Sequence, residues 1–161
     1  YGNEELTLPE RETHEPLSFW MIILDTNVVS EFMTSPPASQ VLNWLNSQDV
    51  ASLYLSTITI AEIGYGLRAM PEGKRRKLLN ERFEQFVDEA FTQRILSFDE
   101  SAARIYGEIM CHRKEMGRPM SNLDGQIAAI ARSIGFSVAT RNIKDFQHCH
   151  IELINPFDAM P

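Results

Sequence analysis

Three acidic side chains stand in the sequence where a strand is predicted to end or a helix to begin. Asp25 directly follows the apolar run 21–24, Glu62 lies in TITIAEIGYG just after a second apolar run, and Asp124 lies in SNLDGQIAAIA. A short, continuous apolar run is typical of a strand covered on both faces, as in a parallel sheet. Ligands of open parallel sheets bind beyond the carboxyl ends of the strands, so we expect the three acids to converge there.

More oxygen atoms follow a later strand. The stretch VATRNIKDF places Thr140, Asn142 and Asp145 at and just beyond its carboxyl end. Crowded carboxylates cannot all stay ionised without a cation, and hard oxygen ligands suit Mg²⁺ or Mn²⁺. We expect Thr140 and Asn142 to orient the ligands or water. The sequence therefore predicts a metal site with the ligands Asp25, Glu62, Asp124 and Asp145.

Each acid also has a simpler interpretation. Thr59 and Ser121 stand three residues before the two later acids, so both pairs fit a capping box that only satisfies a helix N-terminus. Asp25 could cap the short helix that follows it. It could also be the phosphoryl acceptor of a phosphatase, although that chemistry usually carries a second acid where this chain has Asn27. The shared topological place of the three acids favours one common site.

The elements that would position these acids alternate along the chain from Met21. Such alternation of strand and helix indicates an α/β fold with a parallel sheet of about five strands. The predicted strands are 21–25, 52–56, 94–97, 136–140 and 151–154. The predicted helices are 27–33, 38–48, 58–70, 73–91, 99–116 and 122–134.

Length and composition limit the possible classes of protein. The chain has 161 residues, of which 43% are hydrophobic and 23% charged, which favours one globular domain. No apolar run has the length that a membrane span needs, so we expect no membrane partner. The two cysteines form no disulfide framework, which makes a reducing cytoplasm the expected location. The net charge of −7 argues against binding of nucleic acid by bulk positive charge, but it is compatible with a nuclease that has local basic clusters.

Basic and histidine-rich stretches are weaker signals. The run GKRRK at 73–77 is either a solvated surface or a contact for nucleic-acid phosphates. Arg141 and Lys144 flank the predicted acidic site and are the better candidates for such a contact, with Arg68 as a further one. HCH at 148–150 does not have the spacing of a closed zinc site.

Four stretches, MIILDTNVVSE, LSTITIAEIGYGL, NLDGQIAAIA and VATRNIKDF, together resemble the motifs of PIN-domain ribonucleases, in particular the VapC and FitB toxins of toxin–antitoxin pairs. The resemblance extends from residue 21 to about residue 158. It implies a three-layer α/β/α fold, with Asp25, Glu62 and Asp124 matching the metal-binding acids of the family. The family often has an aspartate where this chain has Asn142, which implies a second metal site that is weaker or is completed only when RNA phosphate is bound.

The same resemblance implies a function. The protein would be a metal-dependent endoribonuclease in which metal-activated water attacks an RNA phosphodiester, leaving a 5′ phosphate and a 3′ hydroxyl. It would form a homodimer and pair with a DNA-binding antitoxin. The apolar faces of 38–48 and 58–70 would supply the dimer contact, unless they face the protein's own core. The alternative is a subunit that cuts little and joins a DNA-binding antitoxin as a transcriptional co-repressor.

Residues 1–20 form a separate segment ahead of the PIN-like domain at 21–161. They hold five glutamates and one arginine, Arg11, and end on the apolar residues Leu17, Phe19 and Trp20. The resemblance implies that such an acidic tail could lie across the domain like an antitoxin, with Arg11 offsetting the carboxylates. The alternative is a leader with no role.

Overall fold

The central sheet has five short parallel strands. The structure is a computed structural model that describes residues 20–33 and 36–158. Within these residues the strands lie in the order β3-β2-β1-β4-β5. Their bounds are β1 Ile22–Leu24, β2 Leu53–Ser56, β3 Ile95–Leu96, β4 Ser137–Ala139 and β5 Leu153–Ile154.

The register brings the carboxyl ends of the three middle strands to one edge. In β1, Ile23 pairs with Tyr54 of β2, and Leu24 pairs with Ala139 of β4. The backbone N–H of Asp25 continues this ladder, since it donates to the carbonyl of Ala139 at 2.9 Å. Asp25 therefore lies at the carboxyl edge, as the sequence predicts.

Seven helices accompany the described strands. Six of them lie within two residues of the predicted bounds, and the seventh, after Asn142, was not predicted because a single turn carries no periodic pattern. They are α1 Thr26–Glu31, α2 Ser39–Asn46, α3 Thr57–Ala69, α4 Lys74–Ala90, α5 Glu100–Glu115, α6 Asn122–Ile134 and α7 Ile143–Phe146.

Alternate residues of β1 separate the core into two halves. Ile22 and Leu24 belong to a buried cluster that α1 to α4 complete, whereas Ile23 belongs to a second cluster built mainly from α5 and α6. Successive side chains of a strand point to opposite faces, so a strand buried on both sides needs helices on both sides. The predicted α/β/α architecture is confirmed.

The apolar face of α2, one of the two candidate dimer contacts, mostly covers the protein's own core. Val41 is fully buried, and Trp44 and Leu45 pack against the same cluster. On α3, by contrast, Tyr65 is 77% exposed and remains open to a partner. None of the described helices is long and apolar enough to cross a membrane.

Candidate active site at the carboxyl edge of the sheet

A cleft of about 430 Å³ opens at the carboxyl edge of the sheet. Its walls come from the residue after β1, from α1, from the second turn of α3 and the first turn of α6, and from residues that follow β4. The three acids singled out from the sequence all line it. The lining residues are Asp25, Thr26, Asn27, Ser30, Glu31, Glu62, Asp124, Arg141 and Asn142.

Asp25 is held from three directions. Its side chain is only 4% exposed. One carboxylate oxygen accepts from the backbone N–H of Thr26 at 2.8 Å, which makes Asp25 the N-cap of α1. The other accepts from the hydroxyl of Thr140 at 2.8 Å and the amide of Asn27 at 3.1 Å. Asp25 is thus the cap of α1, as one interpretation of the sequence held. Capping uses only one of its two carboxylate oxygens.

The charge of Asp25 is costly in this position. Burial raises the pKa of its carboxyl group to about 6, although the hydrogen bonds from Thr140 and Thr26 act in the opposite direction. The nearby charges of Asp124 and Glu62 raise this pKa further. No ion pair within the described residues involves these three carboxylates. The cleft therefore concentrates negative charge on three carboxylates that form no ion pair among the described residues, which favours a bound cation.

Glu62 is half-buried and faces the cleft from α3. Its carboxylate accepts from the hydroxyl of Thr26 at 3.1 Å. The capping-box interpretation is wrong here, because α3 begins at Thr57 and its N-cap is Ser56, whose side chain accepts from the N–H of Thr59. Burial raises the pKa of Glu62, and the charge of Asp124 adds to this shift.

Asp124 faces the same cleft from the first turn of α6. The hydroxyl of Ser121 accepts from the backbone N–H of Asp124 at 3.1 Å and donates to its carboxylate at 2.7 Å. Burial raises the pKa of Asp124; the Ser121 bond and the Arg113 charge lower it, and the Asp145 charge raises it. Ser121 is a true cap here, and the second oxygen of Asp124 stays available to a ligand.

The residues after β4 contribute unequally. Thr140 is fully buried, and its hydroxyl accepts from the N–H of Asn142 at 3.0 Å while donating to Asp25. Asn142 lines the cleft. Asp145 lies on α7 outside the lining residues, although its charge acts on Asp124. A ligand role for Asp145 remains a prediction.

The oxygen atoms of the cleft suit a hard divalent cation by their chemistry, although the carboxylates do not yet surround a single position. Within the described ranges no group of three or more His, Cys, Asp or Glu side chains is arranged tightly enough to hold a metal ion. The available donors are nevertheless all oxygens, with three carboxylates whose pKa values are all raised. This chemistry suits Mg²⁺ or Mn²⁺ and is unsuited to a soft zinc site.

The basic residues proposed as RNA contacts lie at different distances from the cleft. Arg141 lines it, and its guanidinium lies 4.4 Å from the centroid of the Phe157 ring. Arg68 lies outside the lining residues, in a second depression between α3 and α4. Lys144 is exposed on α7. Arg113 cannot join them, because it is buried and bonds to backbone carbonyls of α7 and the loops beside it.

Five polar residues at the site were not among the predicted site residues: Thr26, Asn27, Ser30 and Glu31, which line the cleft, and Ser121, which bonds to Asp124. Thr26 connects α1 to Glu62, and Ser121 holds Asp124. Asn27 bonds to Asp25 through its amide nitrogen and accepts from the N–H of Arg141 at 3.1 Å. The sequence did offer a signal, since a hydroxyl and an amide directly follow Asp25, but only tertiary contacts reveal their partners.

The family of this chain follows from comparison with known proteins. A model of the PIN domain matches residues 22–149. The chain belongs to the PIN domain family. The resemblance seen in the four motifs is thereby confirmed.

Relatives within this family have informative names. A VapC ribonuclease of Sinorhizobium fredii is 44% identical over 86% of this chain and 99% of its own length. The toxin FitB of Neisseria gonorrhoeae is 40% identical over 85% of this chain and 99% of its own length. A crystal structure of FitAcB from the same organism superposes with a TM-score of 0.81 at 40% identity, covering 86% of this chain and 99% of that one.

Proposed function

We propose that this PIN domain protein is an endoribonuclease and acts as the toxin of a toxin–antitoxin pair. The observation that carries the proposal is the convergence of Asp25, Glu62 and Asp124 on one cleft in a chain of this family. The names of its relatives, VapC ribonuclease and toxin FitB, support the same activity. A tRNA(fMet)-specific endonuclease VapC of Shigella flexneri, 29% identical, is a further relative that acts on RNA.

The residues of the cleft have separable roles in this reaction. Asp25, fixed by Thr140 and Asn27, supplies a carboxylate in one orientation. Glu62 and Asp124 approach from helices on the two sides of the sheet edge and supply further oxygens. Asn142 offers a neutral amide in the same cleft and orients water. These groups together would hold a divalent cation and the phosphodiester above Asp25.

A bound Mg²⁺ or Mn²⁺ would polarise the phosphodiester and lower the pKa of water, which is the chemistry that a carboxylate cleft alone lacks. The products would be a 5′ phosphate and a 3′ hydroxyl. Arg141 is the basic residue best placed to contact RNA phosphates, because it lines the cleft and its guanidinium is supported by the ring of Phe157. Lys144 and Arg68 would contact phosphates further from the scissile bond.

The partner of this protein would be a cognate antitoxin. An apolar groove of about 710 Å³ shares Glu62 with the cleft. Its buried lining includes Ile63 and Leu67, and the exposed residues Arg75 and Arg82 also line it. An apolar and acidic segment of an antitoxin would complement this groove. The solved complex of FitAB with a DNA fragment, 39% identical, supports such a partner.

The same complex supports co-repression as a second function, in which the toxin joins its antitoxin on DNA. A homodimer, with the exposed Tyr65 of α3 in or near the contact, would suit both functions.

Residues 1–20 would regulate the site from within the chain. Residues 1–19 lie outside the described part of the structure, and so does the predicted contact of Arg11. Trp20 lies beyond the amino end of β1, opposite to Asp25, so the tail would have to cross the domain. The ten steps from Arg11 to Met21 would span about 33 Å if extended, which exceeds the roughly 13 Å from Met21 to Asp25 along the strand. Deletion of residues 1–20 should raise cleavage; equal cleavage and equal melting temperature would contradict this.

The central test is RNA cleavage by the purified protein with Mg²⁺ or Mn²⁺ and then with excess chelator. We expect cleavage that depends on the cation and leaves 5′ phosphate ends. Cleavage that is unchanged by the chelator would contradict the metal-dependent mechanism. An absence of cleavage at all, with tight binding to an antitoxin–DNA complex, would favour co-repression alone.

A further inference from the structure

A Cβ atom on the glycine that follows Asp124 would overlap the ends of two side chains of α5. Gly125 is buried in the first turn of α6, where that helix packs on α5. A Cβ atom placed on Gly125 would lie 2.5 Å from the sulfur of Met110 and 3.0 Å from the ring atom Cε2 of Tyr106. Real Cβ contacts are essentially never as short as the first of these distances.

This crowding distinguishes Gly125 from the other glycines that the structure describes in helices. A Cβ on Gly66 or Gly107 would meet nothing within 4 Å, and one on Gly64 would have an ordinary contact of 3.5 Å with Arg68. Gly125 therefore differs from these glycines, because side chains of α5 occupy the place where its Cβ would lie.

Gly125 is the neighbour of Asp124, whose carboxylate lines the cleft. Asp124 precedes it directly, and Ser121 holds the Asp124 carboxylate from the N-cap of the same helix. A hydrogen bond also joins this turn to α5, since the hydroxyl of Tyr106 donates to the side chain of Asn122 at 3.3 Å. The first turn of α6 is therefore located by its contact with α5, and any residue that separates the two helices moves Asp124.

We propose that Gly125 is a positioning residue: by letting α6 lie directly against Met110 and Tyr106, it sets the place of the Asp124 carboxylate in the cleft. The inference rests on the proposed function, because it assigns a role toward the cation that the cleft would hold. A methyl group at position 125 must push Met110 and Tyr106 aside or move the start of α6 outward. The second response withdraws Asp124 from Asp25 and Glu62.

The test compares Gly125→Ala with Gly107→Ala, a matched control on the exposed side of α5. The primary measurement is the Kd for Mn²⁺ by titration calorimetry, with unfolding in the presence of chelator as a second measurement. We expect the Kd of Gly125→Ala for Mn²⁺ to increase by about tenfold, as when a group that supports a metal ligand is lost. The Kd of Gly107→Ala should stay unchanged. The kcat for RNA should recover at saturating Mn²⁺.

A double variant separates positioning from a general loss of packing. In Met110→Ala with Gly125→Ala the sulfur that blocks the methyl group is gone, so the Kd for Mn²⁺ should return toward that of the wild type. A wild-type Kd in Gly125→Ala, with or without lower stability, would overturn the inference, because Met110 would then simply move aside. So would a weakened Kd that the double variant does not restore. If the wild type itself binds no Mn²⁺, the proposed function fails and the inference fails with it.

Discussion

The two sides of the cleft hold their carboxylates in different ways. Asp25 comes from the end of a central strand, is 4% exposed, and both of its oxygens accept hydrogen bonds. Glu62 comes from the second turn of α3 and Asp124 from the first turn of α6; both are half-buried, and each accepts one side-chain hydrogen bond, from Thr26 and Ser121. The position of Asp25 is therefore set by the sheet, whereas the positions of Glu62 and Asp124 depend on helices that pack on the sheet.

This difference indicates how the cleft would operate. The strand-borne carboxylate is oriented in advance, which reduces reorganisation when a ligand binds. The helix-borne carboxylates keep oxygens free to turn toward a cation. The free-energy cost of keeping a carboxylate ionised is largest for Asp25, because burial raises its pKa to about 6.

The largest expected effect comes from neutralising one acid on each side. Asp25→Asn and Asp124→Asn should each lower RNA cleavage by more than about a hundredfold, since loss of a ligand exceeds the loss of a supporting group. Their metal-free stabilities should differ. Asp25→Asn removes the more costly charge and should raise the free energy of unfolding at pH 7.5 by up to roughly 3 kcal/mol.

The control is Asp88→Asn on the exposed face of α4, which should change neither quantity. Urea unfolding in chelator and initial rates of RNA cleavage are the measurements. Cleavage at the wild-type rate by either cleft variant would contradict the site. A larger stability gain in Asp124→Asn than in Asp25→Asn would reverse the comparison between the two sides.

The pH dependence of metal-free stability should show the same asymmetry. The folded pKa of Asp25, about 6, exceeds its ordinary value of 3.8, so the folded state binds more protons between these values. The free energy of unfolding should therefore fall as pH rises from 4 to 7, by roughly 3 kcal/mol from this group. The raised pKa values of Glu62 and Asp124 act in the same direction.

Chemical denaturation across this pH range measures the effect, and Asp25→Asn should remove most of the slope. Added Mg²⁺ or Mn²⁺ should stabilise the wild type more at pH 7 than at pH 5, because cations bind the ionised carboxylates. A metal-free stability that rises between pH 4 and pH 7 would show that Asp25 is not buried as described.

Removing one support from each side should have a smaller effect. Thr140→Val deletes the hydroxyl that donates to Asp25 at 2.8 Å, and should lower cleavage about ten- to hundredfold and stability by about 2 kcal/mol. Ser121→Ala deletes the cap of α6 and should cost about 1 kcal/mol, with cleavage reduced less than about tenfold. If Ser121→Ala lost more cleavage than Thr140→Val, the hydrogen bond to Asp124 would matter more for activity than the hydrogen bond to Asp25.

The smallest expected effects concern RNA contacts. Arg141→Gln should raise the KM for RNA a few-fold and lower the slope of log KM against log salt by about 1, as for one lost phosphate contact. Arg68→Gln should have the weaker effect, because Arg68 lies outside the cleft. An unchanged KM in Arg141→Gln with a raised KM in Arg68→Gln would place the RNA along α3 and α4.

The sequence by itself determined the elements and the edge where the acids meet. Apolar runs and helical stripes predicted five strands and six helices with small errors at their ends, because core burial is read directly from residue periodicity. Asp25, Glu62 and Asp124 could be singled out because each stands where a predicted strand has just ended or a predicted helix begins. The four motifs, taken in order and spacing, also indicated the family.

Only the tertiary structure decided what holds each acid. Asp25 accepts from Thr140, 115 residues away, and Thr26 donates to Glu62, 36 residues away; both contacts depend on the register of strands and helices. The crowding at Gly125 is likewise a property of two packed helices. Local patterns report which face of an element is apolar, but hydrogen bonds and close contacts depend on distances of a few tenths of an ångström between segments that are remote in the chain.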